Sequence, residues 1–278
     1  MGKGHDRSNH LRNMKTVELK PVAHNVKIGD VCPTIEPNII EDTLFVADGK
    51  PIGFYLKQVP EKLAKLVTVA NAELLSPRVP KSMMTRVRPA GKDENGKAVY
   101  GRDVSQFSTI LGSCAPKPHL RMPYPRISQV HDEPSASTFV KAMLLACKAS
   151  EQLIKEVCAD LYEEQRKIIE QNVPPKWRFG ELFTSSISNF NIAAAYHQDN
   201  ANLQGCCNVI IAKRHNAKGG NTTIPDYNAT VNSSDNSILV YPAWRNVHGV
   251  TPIEPLAENG YRNSLVFYPL KAFNKFWD

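Results

Sequence analysis

Apolar residues between positions 135 and 171 recur at helical spacing, with Leu153, Ile154, Val157, Leu161, Ile168 and Ile169 on one stripe. Ser135 or Ser137 offers a cap before the stripe, and Pro174 and Pro175 stop it. The pattern predicts a helix or helix pair whose apolar face must lie on something, most simply a β-sheet. The C-terminal part of the chain supplies one. NFNIAAAY, CCNVIIAKR, TTIPDY, NSILVY and NSLVFYPL are short strand-like runs separated by Asn, Gly and Ser-Asp turns. Five strands within about 80 residues, with no helix between them, predict an antiparallel barrel or jelly roll. Upstream, TLFVA and IGFYL read as strands, and the stretch near 60 to 75 reads as a helix.

Composition narrows the class. The chain has 278 residues, 42% hydrophobic and 22% charged, enough for a sizeable core, which excludes a disordered or fibrous protein. Residues 1–14 are expected to be a flexible basic tail. Residues 15–133 form a lead-in with basic, proline-rich loops, and 134–278 carry the helical support and the β-core. Together 15–278 read as one continuous domain. Six cysteines include no C-x-x-C pair, so reduced thiols in a cytoplasmic protein are expected. No apolar run approaches a membrane span, and MGKGHDRSNH lacks a signal-peptide core. No protein partner is evident, and a monomer is expected.

The net charge of +7 suits a polyanionic partner but does not demand one. Between 76 and 133 proline and cations are dense: Arg78, Lys81, Arg86, Arg88, Lys117, His119, Arg121 and Arg126 fall in irregular segments. They make either a solvated loop face or a rim of phosphate contacts.

Candidate chemistry begins at AAYHQDN. His197 and Asp199 are two apart at the end of a predicted strand, where both would face one rim of a barrel. Alone, the pair is equally compatible with a turn-capping aspartate. A third group, His248 in YPAWRNVHGVTPI, follows another predicted strand and on its own reads as a core histidine. Two imidazoles and a carboxylate cover one face of an octahedral ion and leave three positions open, the arrangement suited to non-haem Fe(II). Arg262, fourteen residues after His248, and Ser264 share one strand face. A guanidinium fork and a hydroxyl match the far carboxylate of a bidentate 2-oxo acid.

These motifs carry a resemblance. HQDNAN (197–202), SILVYPAWRNVHGVTPI (237–253) and above all RNSLVFY (262–268) resemble the 2-oxoglutarate and Fe(II)-dependent dioxygenases, and within them the TET and base-J-binding-protein branch. The resemblance covers roughly residues 185–270. It implies an α+β fold with a double-stranded β-helix (jelly-roll) core and supporting helices packed on one face. It implies a minimal phage or bacterial enzyme that oxidises the 5-methyl group of 5-methylcytosine in DNA to hydroxymethyl, and further to formyl and carboxyl products. Fe(II), 2-oxoglutarate and O2 are the implied cofactors, with the target base flipped from the helix.

Position by position, the resemblance makes His197, Asp199 and His248 the iron ligands, with Arg262 and Ser264 holding 2-oxoglutarate. Asn202 and Tyr268 fall on base-contacting positions. Arg102, Arg121 and Arg126 are candidates for backbone contact or co-substrate support. Leu270 stands where animal TET enzymes have a base-contacting histidine, which leaves thymine as an alternative target. Another dioxygenase, or a jelly-roll DNA-binding module without catalysis, are the remaining alternatives.

Overall fold

The computed structural model describes residues 14–83, 89–92, 94, 98–100 and 106–277. Residues 1–13 of the basic tail, Arg86, Arg88 and Arg102 lie outside the described residues. A ten-stranded sheet runs in the order Lys15–Glu18, Thr43–Ala47, Lys50–Leu56, Ile238–Tyr241, Asn208–His215, Tyr261–Tyr268, Ser185–Phe190, Phe107–Cys114 and Ser82–Met83. Arg126–Ile127 pairs with Phe107–Cys114 off this path. A second sheet of four strands follows the order Ala194–His197, His248–Val250, Thr222–Ile224 and Ala229–Val231.

The central strands are buried on both faces, so their apolar runs are nearly continuous and only parity tells the faces apart. Phe54, Val209, Ile211, Val240, Leu265 and Phe267 join the core beneath the helices. Their neighbours Tyr55, Ile210, Leu239 and Tyr241 turn the other way, onto Ile224 and Val231 of the small sheet. The large sheet is thus sandwiched, helices on one face and the jelly-roll interior on the other. By the same parity Arg262 and Ser264 point into the roll, away from Leu265 and Phe267.

Three helices cover the outer face: Glu61–Leu75, Ser137–Val157 and Ala159–Asn172. The predicted stripe at 135–171 is therefore a helix pair, broken at Cys158, whose φ of −149° and ψ of 88° leave the helical region. Neither serine caps it. A short 3-10 turn, Pro134–Ala136, precedes the first helix, and the Glu133 carboxylate accepts the Ser135 N–H. The run NFNIAAAY is likewise not one strand. It ends as Ser185–Phe190 in the large sheet and resumes as Ala194–His197 in the small one. The chain turns at Asn191, whose φ is +54°, a conformation Asn tolerates better than most residues. TTIPDY is a strand only through Ile224, because proline opens a 3-10 turn at Pro225–Tyr227. All six cysteines are free. Among the described residues, no helix is long and apolar enough to cross a membrane.

One buried charge ties the helices to the sheet. Glu151, 4% exposed, accepts the N–H groups of Glu181 at 2.6 Å and Leu182 at 2.9 Å in the segment leading into the Ser185 strand. Burial outweighs these two hydrogen bonds and raises its carboxyl pKa to about 7. The folded state therefore binds this proton more tightly than the unfolded chain. That contribution is complete below about pH 4.5 and is lost as pH rises through about 7. Stability measured by denaturant should fall between about pH 4.5 and 7, with up to about 3 kcal/mol from this group. Glu151→Gln, which keeps the accepting oxygen, should flatten that decline; an unchanged pH profile would refute the assignment.

Candidate functional site

The turn at Asn191 delivers the next strand to the small sheet, where His197 pairs in register with His248. The two imidazole centroids are 4.4 Å apart. His197 Nδ1 lies 2.8 Å from the Ala195 carbonyl oxygen, and His248 Nδ1 lies 3.1 Å from that of Asn246. A carbonyl only accepts, so each Nδ1 carries the proton and each Nε2 presents a lone pair. Burial, followed by the neighbouring His197, holds the His248 pKa below its usual value, which favours the neutral, ligating form.

Asp199 does not lie on the strand with His197, since the strand ends at His197 itself. Its main chain is fixed instead by the Asp199 N–H donating to Ala243 O at 3.1 Å. Asp199 Oδ1 stands 3.6 Å from His197 Nε2. One ligand atom from each of His197, Asp199 and His248 lies within 4.8 Å of the others, close enough to share a metal ion. Two imidazole nitrogens and one carboxylate oxygen, without thiolate, form a donor set that fits Fe(II).

Deeper in the roll, Arg262 is 2% exposed. Its Nε and Nη2 reach only Ser233 Oγ, at 3.2 and 2.9 Å, and among the described residues it has no acidic partner. Burial first, then the Arg214 charge, lowers its pKa to about 10. Arg214 sits directly opposite it in the strand register. Gly220, at φ +69°, packs on the guanidinium stem, where a Cβ would come within 3.0 Å of Arg262 Cδ. A buried cation with no counter-charge is a fitting place for an anion. Ser233 links it back to the histidines: its N–H donates to Asn221 Oδ1, and the Asn221 N–H donates to Thr251 Oγ1. Thr251 is three residues past His248, roughly 10 Å along an extended chain.

Ser264 is buried two positions beyond Arg262 on the same face. Tyr268, at the end of that strand, pairs in register with Ser185, which in turn pairs with Gly112 near the end of the Phe107–Cys114 strand. Asn202 forms a β-bridge with Leu270 and is 4% exposed. It also lines a cleft of about 380 Å³ with Gln198, Asn200, Gln204, Trp244 and Lys271. Sequence reading passed over Trp244, Ser233, Arg214 and Asn208. Only the position of Trp244, four residues before His248, could have drawn notice.

The basic segment divides. Arg78 is paired with Glu73 at 2.6 Å, and Lys81 Nζ donates to the Ser76 and Val79 carbonyls, so both serve the local fold. Lys117, His119, Arg121 and Arg126 are exposed. Arg126 pairs in register with Cys114, at the end of the strand whose Gly112 stands two strands from Tyr268 through Ser185. Leu120 and Tyr124 stand out from it, 54% and 73% exposed.

No family model matches the chain, and no curated protein matches it in sequence. Among solved structures, NgTET1 in complex with 5mC DNA superimposes with a TM-score of 0.61 at 12% identity, covering 96% of this chain and 88% of that one. A 2OG-Fe(II) oxygenase family oxidoreductase from Burkholderia pseudomallei gives 0.45 at 12% identity, covering 80% and 85%. OsALKBH1 gives 0.40 at 16%, covering 79% and 98%. At such identities the likeness is one of fold, and the chain has a TET and 2OG-Fe(II) oxygenase-like fold.

Proposed function

We propose that this protein is a 2-oxoglutarate and Fe(II)-dependent dioxygenase that oxidises the 5-methyl group of 5-methylcytosine in DNA. The observation that carries the reading is the gathering of His197, Asp199 and His248, together with a buried Arg262 that has no acidic partner among the described residues. The NgTET1 complex, whose fold this chain shares, supports 5-methylcytosine DNA as the substrate.

Fe(II) with 2-oxoglutarate and O2 would supply the oxidation of an unactivated methyl group, the co-substrate leaving as succinate and CO2. The protein's own part is binding, aiming and exclusion. His197 and His248 offer Nε2, and Asp199 offers one carboxylate oxygen. Arg262 and Ser264 hold the far carboxylate of 2-oxoglutarate, the guanidinium exchanging its lone hydroxyl partner for a charge-assisted pair. Asn202 and Tyr268 line the pocket for the base. A methyl group stacked inside a duplex cannot reach a centre at the mouth of a jelly roll, so the base must leave the helix.

Arg121 and Arg126 then contact backbone phosphates from the rim. This makes binding salt-dependent, and each arginine replaced by alanine should lower the slope of log affinity against log salt by about 1. Fluorescence anisotropy with a labelled duplex reads that slope, and an unchanged slope in the double variant removes the loop from the interface.

Incubation with Fe(II), 2-oxoglutarate and methylated DNA, followed by nucleoside mass spectrometry, tests the whole reading. Hydroxymethylcytosine is the expected product. Because Leu270 offers the base no hydrogen bond, a parallel arm reads thymine oxidation. If neither base is modified and no succinate forms, the enzymatic proposal fails.

A further inference from the structure

Behind the candidate metal ligand Asp199 two asparagines form a hydrogen-bonded chain, and one of them, Asn208, has no role in the reading above. Asn208 Nδ2 donates to Asp199 Oδ2 at 3.0 Å, and Asn202 Nδ2 donates to Asn208 Oδ1 at 2.8 Å. Asn202 Nδ2 also stands 3.5 Å from Asp199 Oδ2. Asn208 and Asn202 are 3% and 4% exposed, so water does not readily replace these partners. Asn208 opens the Asn208–His215 strand, on the inward face, in register with Tyr241. The large sheet thus holds it rigidly, whereas Asp199 sits in a loop beyond its strand.

We propose that Asn208 is a positioning residue that orients the Asp199 carboxylate and, through Asn202, sets the polarity of the pocket beside it. The inference rests on the metal reading of the site. The chemistry runs in one direction. An ionised carboxylate accepts only, so Asn208 must turn its NH2 group to Asp199. Its carbonyl then faces Asn202, which must answer with its own NH2. The Asn202 carbonyl oxygen is left as the group available to the cleft that Asn202 lines. With Oδ2 engaged by Asn208, Asp199 turns Oδ1 towards the His197 imidazole, 3.6 Å away. An acceptor at Asn202 complements a ring carrying an exocyclic amino group, as cytosine does, and opposes the 4-oxo group of thymine.

Co(II) titration followed by visible absorption tests the positioning role without turnover, alongside thermal melting of each variant. Asn208→Leu, which keeps the volume but makes no hydrogen bond, should weaken Co(II) binding about tenfold or more. Asn208→Ser gives a second variant should leucine prevent folding, with the same loss expected because its hydroxyl is too short to reach Asp199. Asn202→Leu leaves the Asn208–Asp199 bond in place and should stay within about threefold of the native protein. In active protein, Asn208→Leu should also lower the preference for 5-methylcytosine over thymine in kcat/KM. Asn208 variants that bind Co(II) as tightly as native protein overturn the proposal. So does an Asn202→Leu loss equal to that of Asn208→Leu, which marks general packing. A native protein that binds no Co(II) at all instead sinks the metal reading on which the inference stands.

Discussion

Asp199→Ala is expected to abolish oxidation of methylated DNA while leaving DNA binding intact. The variant removes the only carboxylate of the candidate metal-binding trio, leaving two imidazoles 4.4 Å apart at their centroids. Loss of an outer partner of a metal ligand already costs about 10- to 100-fold in affinity, so loss of the ligand itself should exceed that range. Folding should suffer far less. The change orphans the Asn208 amide donor, a penalty of about 1–3 kcal/mol. The exposed cations of the 117–126 loop are untouched, so duplex affinity by anisotropy should change little. Succinate release and nucleoside mass spectrometry read the chemistry. Turnover within tenfold of native would show that the carboxylate is not a ligand, and the non-catalytic DNA-binding alternative would then gain ground.

Arg262→Met should move stability and co-substrate binding in opposite directions. Arg262 is 2% exposed, its guanidinium hydrogen-bonds among the described residues only to the Ser233 hydroxyl, and it lies opposite Arg214 in the strand pair. Holding its pKa near 10 instead of the ordinary 12.5 corresponds to roughly 3 kcal/mol of disfavoured burial in the ligand-free protein. A buried charge replaced by an apolar side chain of similar length is often neutral or stabilising by about 1–4 kcal/mol. The melting temperature of Arg262→Met should therefore hold or rise. The 2-oxoglutarate carboxylate, however, would lose its guanidinium partner, and a lost charge-assisted hydrogen bond of about 1.5–3 kcal/mol corresponds to a KM increase of roughly tenfold to more than a hundredfold. Addition of 2-oxoglutarate should raise the melting temperature of the native protein and not that of the variant. An arginine that serves only the fold predicts the reverse: a destabilised variant with an unchanged KM.

The separation between these two residues and the lead-in loops shows where sequence patterning is informative. His197, Asp199, His248, Arg262 and Ser264 stood out as candidates in the sequence because their order would suit one ion and one dicarboxylate, and the structure brings the first three together. The exposed loop cations were not sortable in this way. Arg78 and Arg126 look alike in sequence, yet one is bound to Glu73 and the other pairs in register with Cys114. Charge on an irregular segment carries no record of which side chain finds a partner.

Strand and helix content follows from local pattern: the stripe through Leu153 and Ile169 and the runs around Val209, Leu239 and Leu265 form the elements expected of them. Period and propensity act over a few residues, so a single chain displays them directly. The break at Asn191 does not, because it is a choice among allowed backbone conformations made by contact with a distant segment. Asn191 turns where its side chain accepts the Arg262 N–H, 71 residues away in sequence. The alliance of Asp199 with Asn208 and Asn202, and the lack of a carboxylate partner for Arg262 among the described residues, were likewise decided only when the two sheets closed. Sequence determined which groups were available. Burial determined which of them were left without partners, and an unpartnered polar group acquires its meaning only when water has been removed from around it.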